Sequence, residues 1–287
     1  MPPAGFRNVA GADHAAARRA ASSDRQWYRP VLDPIYRLYE RRLLSQVGAG
    51  PLPRHIGLIL DGNRRYAERH RLTEPAQIYA AGANKLDELL KWCIELAIPA
   101  ITLWVFSTEN RTRPAEEVSG ILTAIERKMA LLAKDPEIHR HRVRVRGVGR
   151  LESMPASTLQ AVRAAETATA GYDGMRLTIA AAYGGREEIT DAVQALLRDQ
   201  LYHDRRLEDV IALVTSEAIG RYLYAPDLPD PDLIIRTSGE IRLSGFLLWQ
   251  SAYSEFYFAD VLWPAFRRID FLRAIRDFQR RRRRFGH

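Results

Sequence analysis

From Trp27 to Val47 the apolar residues Val31, Ile35, Leu38, Tyr39, Leu43 and Leu44 recur at helical spacing, against a basic face that includes Arg41 and Arg42. Such a stripe predicts an amphipathic helix that either packs on the body of the protein or rests on acidic lipid, and packing is the reading adopted here. After Pro53 the period changes. Short apolar runs at Ile56 to Leu60, Ala100 to Phe106, Val143 to Val148, Met175 to Tyr183 and Leu233 to Ile235 read as strands. Between them lie helical stretches near Ala80 to Leu96, near Pro114 to Ala133, after Pro155 and after Gly185. Strands joined through helices of this length cannot form hairpins, so the pattern predicts an α/β fold, a mostly parallel central sheet flanked by helices. Residues 1–25, rich in Ala, Arg, Ser and Gly and without clear apolar periodicity, read as a mobile leader. Residues 26–52 hold the amphipathic helix and a linker.

Ligands of such sheets bind beyond the carboxyl ends of the strands, so the polar turns that end the apolar runs become the candidate chemistry. The first run breaks into Asp61-Gly62-Asn63-Arg64-Arg65-Tyr66, ahead of a helix start. A carboxylate there can hold a hard cation, while Gly62 lets backbone approach an anion that the following amides and Arg65 can bind. An ordinary Asp-Gly turn capping a helix accounts for Asp61-Gly62 equally well. The next run ends in Ser107-Thr108-Glu109-Asn110-Arg111-Thr112-Arg113 before Pro114, more polar groups than a helix cap needs, although Thr112 or its neighbour can serve as one. The last run ends in Arg236-Thr237-Ser238-Gly239-Glu240-Ile241-Arg242-Leu243-Ser244, where guanidinium forks at Arg236 and Arg242 with the Ser244 hydroxyl suit a second diphosphate. Glu255 sits in an aromatic stretch from Trp249 to Phe258 and calls for a metal, an arginine or an interfacial position.

Composition narrows the field without choosing. The chain has 287 residues, a net charge of +8 and one cysteine, Cys93, which falls on the apolar face of a helix and reads as a buried thiol. The charge implies affinity for polyanions: nucleic acid, an anionic membrane surface or phosphorylated small molecules. The basic run Arg280 to Arg284 carries no interleaved aromatic residues, so nucleic acid is not the expected partner. Neither a membrane span nor a signal peptide is legible, which places the protein in the cytosol, with peripheral contact at the inner face of the cell membrane left open. Phosphate loops, dinucleotide-binding turns, HExxH and DDxxD are absent, and Asp227, Asp230 and Asp232 are held apart by prolines.

Together DGNRRYA, FSTENRTRP, AAYGGREEI, DLIIRTSGEIRLSGFLLWQ and EFYFADVLWP resemble the cis-prenyltransferase, or undecaprenyl diphosphate synthase, family across residues 53–287. The resemblance implies a Mg2+-dependent homodimer that condenses isopentenyl diphosphate with an allylic diphosphate. It implies Asp61 and Glu255 as metal-organising residues, with Glu255 acting near the subunit interface. It places Gly62, Asn63, Arg64, Arg65 and Tyr66 on the allylic diphosphate, with Ser107, Thr108, Glu109, Arg111 and Arg113 on the same side. Arg236, Arg242, Leu243 and Ser244 would hold isopentenyl diphosphate. Asn110 is the suggested proton acceptor, but a neutral amide is a poor base, so it reads as positioning the proton route, with the diphosphate or Asp61 as final acceptor.

Departures from the long-chain pattern bear on the product. Glu74-Pro75 and Tyr79 stand where long-chain members carry an arginine and a Gly-His pair, and Val105 stands where they carry a small residue. A bulkier wall at Val105 would stop elongation earlier. With LYERRL and SGFLLWQSAYSE, these features resemble the actinobacterial short-chain subgroup that makes Z,E-farnesyl diphosphate from geranyl diphosphate. The alternatives are a longer decaprenyl or undecaprenyl product, and a non-catalytic partner subunit, against which the intact Asp61 and Arg236 to Arg242 set speaks.

Overall fold

The computed structural model describes residues 29–203 and 206–281. The expected leader at 1–25 and positions 282–284 of the basic run lie outside the described residues. Six strands, β1 (His55–Ile59), β2 (Ala100–Ser107), β3 (Arg144–Val148), β4 (Arg176–Tyr183), β5 (Leu233–Arg236) and β6 (Glu255–Phe258), form one sheet in the order β3-β4-β2-β1-β5-β6. Every neighbouring pair is parallel. The helices are α1 (Arg29–Gly48), α2 (Asn63–His70), α3 (Pro75–Glu95), α4 (Ala115–Leu132), α5 (Pro136–Arg140), α6 (Ala156–Thr169), α7 (Gly185–Tyr202), α8 (Leu207–Leu213), α9 (Ser216–Gly220) and α10 (Arg268–Arg280). Among the described residues no helix is long and apolar enough to cross a membrane.

Alternation along the strands divides the interior. Ile56 and Leu58, Leu233 and Ile235, and Leu177 and Ile179 face a large core shared with α1, α3, α4, α6 and α10. Ile59, Ile234 and Ala180 face a smaller cluster with Tyr183, Phe246 and Leu247. Because both faces are covered, β1 is buried at every position and its sequence is an unbroken apolar run rather than an alternating one. The expected packing of α1 holds: Leu43 and Val47 are buried in the large core, Gln279 of α10 donates to the Val47 carbonyl at 2.8 Å, and Arg268 pairs with Glu40 at 3.1 Å. Leu38, on the same helix, remains exposed. Cys93 is wholly buried in α3, where burial raises its thiol pKa.

Two features differ from the sequence reading. β6 was not expected: EFYF is only partly buried at every position, so its aromatic run carries neither the alternation nor the buried hydrophobic stretch that marks a strand. The start of α4 is not capped by Thr112, whose hydroxyl donates to the Glu109 carbonyl at 2.8 Å; Pro114 occupies the cap position without a side-chain hydrogen bond.

His55 ties the start of β1 to β2 and to the loop that precedes β5. Its Nδ1 lies 2.6 Å from the Pro229 carbonyl and its Nε2 lies 2.8 Å from the Thr102 hydroxyl. A carbonyl only accepts, so Nδ1 carries the proton and Nε2 accepts from Thr102. Burial lowers the His55 pKa from 6.5 to about 4. The unfolded chain therefore binds a proton below about pH 6.5 that the folded chain takes up only near pH 4, and stability falls as pH drops through that interval. The loss is about 3 kcal/mol by the end of it. Urea unfolding of the protein and of His55→Asn at pH 7, 6, 5 and 4 should show the steeper decline in the unmodified protein; equal slopes would remove His55 as the titrating group.

Candidate active site

β1 and β5 are neighbours whose following connections run to opposite sides of the sheet, β1 to β2 and β5 to β6. Such a switch point leaves a crevice at the carboxyl ends of the two strands. Ile59 is in register with Arg236, which brings Asp61, just past β1, against the last residue of β5. Arg236 Nη2 donates to Asp61 Oδ2 at 2.7 Å, and Nη1 donates to the Arg242 carbonyl at 2.6 Å and the Ser244 hydroxyl at 2.8 Å. The Thr237 hydroxyl donates to the Asp61 carbonyl at 2.7 Å and closes the same junction. Gly62 makes the turn possible: its φ is 106°, and a Cβ there would lie 2.9 Å from the Leu262 side chain. Asn63 packs against Gly82 of α3 and donates to the Leu60 carbonyl at 3.1 Å. α2 then begins without a side-chain cap, so its first-turn amides face the crevice as anion donors.

The crevice is a cleft of about 960 Å³, lined by five arginines (64, 65, 113, 236, 242) and four carboxylates (61, 68, 109, 240). Arg65 reaches Glu240 at 3.5 Å and the Ser238 carbonyl at 3.2 Å, and Arg242 also pairs with Glu240. Glu240 thus holds two of the arginines on the cleft wall. Burial alone would raise the Asp61 carboxyl, but the hydrogen bond and charge of Arg236, with Arg65, hold it below the ordinary carboxylate range. That makes Asp61 a poor final proton acceptor and a good anionic ligand. No group of three or more His, Cys, Asp or Glu that would cage a metal occurs among the described residues. The donor set fits Mg2+ in the manner of substrate-diphosphate sites: one partly exposed carboxylate, whose Oδ1 lies 3.9 Å from Arg65, with phosphate oxygens and water to complete the shell.

At the end of β2, the Ser107 N–H donates to Asn110 Oδ1 at 2.9 Å and the Asn110 N–H returns to Ser107 Oγ at 3.1 Å. The Asn110 carbonyl oxygen is therefore committed, and its amide has donors, not an acceptor, to offer. Arg113 donates to Glu117 at 2.8 Å, Tyr79 donates to the same carboxylate at 2.6 Å, and Arg64 lies 3.8 Å from it. Behind this group lies an apolar pocket between α3 and α4, which shares Leu60, Tyr79, Val105 and Ile121 with the cleft wall.

Other expected residues lie elsewhere. Tyr66, Thr108, Arg111 and Leu243 do not line the cleft: Tyr66 stacks on His70, Thr108 sits against Gly184, and Leu243 packs on the smaller cluster. Glu255 is in register with Leu233, at the opposite end of β5 from Arg236, and pairs with Arg281 at 2.9 Å. One chain does not bring Glu255 to Asp61. Sequence reasoning missed Glu117 and Glu240, whose importance lies in the partners they hold, arginines for both and Tyr79 for Glu117 as well. The AAYGGREEI stretch braces the site from behind: Tyr183 donates to buried Glu188 at 2.5 Å, Glu188 accepts from the Tyr224 N–H at 3.0 Å and from Gln250 at 3.1 Å, and the Gly185 N–H donates to the Gly245 carbonyl at 2.8 Å. Burial raises the Glu188 carboxyl pKa.

The Prenyltransf family model, that of undecaprenyl diphosphate synthase, matches residues 59–286. The chain is 57% identical over 249 residues to an isoprenyl transferase of Deinococcus radiodurans, covering 86% of this chain and 90% of that protein. It is 49% identical over 263 residues to a geranylgeranyl-diphosphate-specific tritrans,polycis-undecaprenyl-diphosphate synthase of Methanopyrus kandleri, covering 91% and 95%. The crystal structure of lavandulyl diphosphate synthase from Lavandula x intermedia in complex with dimethylallyl diphosphate superimposes with a TM-score of 0.74 at 28% identity, covering 82% of this chain and 99% of that one.

Gly62→Ala should cost about 1–3 kcal/mol through its positive φ and the Leu262 contact, read as a lower urea midpoint with an unchanged slope. An unchanged midpoint would mean that the turn tolerates a side chain.

Proposed function

The chain belongs to the undecaprenyl diphosphate synthase family of cis-prenyl chain-elongating transferases, and we propose that it joins isopentenyl diphosphate to geranyl diphosphate to give Z,E-farnesyl diphosphate. The observation that carries this reading is the continuity of a charged cleft with an apolar pocket through the shared walls Leu60, Tyr79, Val105 and Ile121. That shape suits an amphiphile with a diphosphate head and a hydrocarbon tail. In this reading the first amides of α2 with Arg64 and Arg65 bind the allylic diphosphate, and Arg236, Arg242 and Ser244 bind the isopentenyl one. Asp61 and the diphosphate oxygens hold Mg2+, which when bound neutralises charge developing on the departing diphosphate.

Arg65 exchanges Glu240 for phosphate oxygens and stabilises the same developing charge. The Asn110 amide donates a hydrogen bond that fixes the diphosphate, and the proton released at the new double bond passes to a diphosphate oxygen rather than to Asp61, whose carboxyl, despite burial, Arg236 holds below the ordinary range. Glu255 contributes only from the second subunit of a homodimer, since one chain keeps it at the far end of β5. The apolar pocket is about 80 Å³, smaller than the ~150 Å³ cavity that admits benzene, and must widen for any prenyl tail, so the short-product reading rests on the bulk of Val105 at its wall. A longer product is the second reading, favoured by the name of the archaeal relative.

Incubation with radiolabelled isopentenyl diphosphate, Mg2+ and geranyl, farnesyl or geranylgeranyl diphosphate separates these readings: a fifteen-carbon Z,E product from geranyl diphosphate supports the first, and long Z-polyprenyl products support the second. Asp61→Ala should lower turnover by at least about 10²–10³-fold with the fold intact; normal turnover would overturn the role given to Asp61. Val105→Ala should lengthen the product, and an unchanged length would free Val105 of that role.

A further inference from the structure

The apolar pocket ends on a charge. α3 and α4 both lead away from the cleft, and Tyr79 and Ile121 stand at its mouth. Two helical turns further along each helix, about 10 Å from the mouth, stand Leu86 on α3 and Lys128 on α4. Lys128 is the one charged residue lining the pocket among the described residues. It is 7% exposed, and its Nζ lies 2.9 Å from both carboxylate oxygens of Asp87. The Asp87 side chain, by contrast, is 45% exposed on the outer side of α3. The aliphatic stem of Lys128 therefore faces the pocket while its ammonium reaches outward between the helices to a surface carboxylate. The pair joins α3 to α4 where a lengthening hydrocarbon would otherwise pass between them.

Resting on the chain-elongating reading above, we infer that the Lys128–Asp87 ion pair is the end-stop that sets product length. The prenyl tail enters past Val105 and grows along the pocket until it meets the Lys128 stem. A further five-carbon unit must either push the stem aside, parting the pair, or lie beside an ammonium that has lost its partner. Apolar walls yield to a tail by repacking, whereas a partly buried charge separated from its counter-ion does not, because neither hydrocarbon nor the closed helix pair replaces the lost interaction. Val105 limits the tail where it enters and Lys128 where it ends, so relief at either point lengthens the product.

The test is product sizing with the full chain, isopentenyl diphosphate, Mg2+ and geranyl diphosphate, using the unmodified protein, Lys128→Ala and Lys128→Met. Lys128→Ala is expected to shift the main product up by at least one five-carbon unit, with kcat/KM for the first condensation unchanged because Lys128 does not line the cleft. Lys128→Met keeps the length and bulk of the stem without its charge and shifts the product in the same direction, which keeps the test open should the alanine variant fail to fold. A pair that merely joins two helices would lower the thermal midpoint and leave chain length where it was. An unmodified protein that elongates, with a folded Lys128 variant of identical product length, overturns this inference alone. Absence of any condensation by the unmodified protein overturns the elongation reading and the inference with it.

Discussion

A guanidinium with a side chain only 5% exposed, at the end of a strand, is the constraint around which this site is arranged. Taking Arg236 out of water is costly unless its donors are met, and they are met by groups from separate pieces of chain: Asp61 after β1, and the Arg242 carbonyl and Ser244 hydroxyl from the loop after β5. Satisfying one side chain thus sets the distance between the two turns that carry the remaining arginines. It also sets the ionisation of Asp61, because the same contact that fixes its position keeps it anionic. The Arg236 Nε remains without a partner among the described residues, so the site retains an unmet donor beside the cleft.

The sheet topology makes this constraint affordable to fold. Parallel β1 and β5 meet in register, so their last residues are level and their loops emerge side by side. The loop carrying Arg242 and Ser244 is then held from the opposite face by the Gly185–Gly245 backbone bond and by Gln250 on Glu188. Glu188 is itself buried and held by Tyr183 and the Tyr224 amide, a polar network of the kind that fixes geometry rather than adding bulk stability. Rigidity behind the loop allows its front to stay polar and accessible.

Much of this was legible in the sequence because buried parallel strands announce themselves. Five apolar runs marked five strands, and the polar turns after three of them held most of the residues that line the cleft. What was not legible was pairing. DGNRR and RTSGE show arginines and carboxylates but not that Asp61 would take Arg236, that Glu240 would hold Arg65 and Arg242, or that Glu117 would gather Arg113, Tyr79 and Arg64. Tyr66 and Thr108 show the converse error. Neighbours of cleft residues along the chain turn elsewhere, since only some positions of a short helix or turn face one side. Glu255 was legible as a carboxylate in need of a partner, but Arg281, and its position at the far end of β5, follow from a strand pairing that EFYF does not announce.

The two halves of the cavity are built from different parts of the fold, and this separates chemistry from product size. The charged half comes from strand ends and the loops that follow them, whose positions are tied to sheet register and to Arg236. The apolar half comes mostly from facing side chains of α3 and α4, helices that can exchange Leu, Ile, Ala or Met along their contact without disturbing that register. Exchanges at residues such as Ala83, Ala124 and Ile125 change the width of the pocket by a few methyl groups about one helical turn past its mouth. Exchange of a residue at a strand end, by contrast, breaks an ion pair on which neighbouring loops depend. A fold organised in this way can vary its apolar pocket while the geometry of its charged cleft stays fixed, because the two are connected only through the few residues that line both, Leu60, Asn63, Tyr79, Val105 and Ile121.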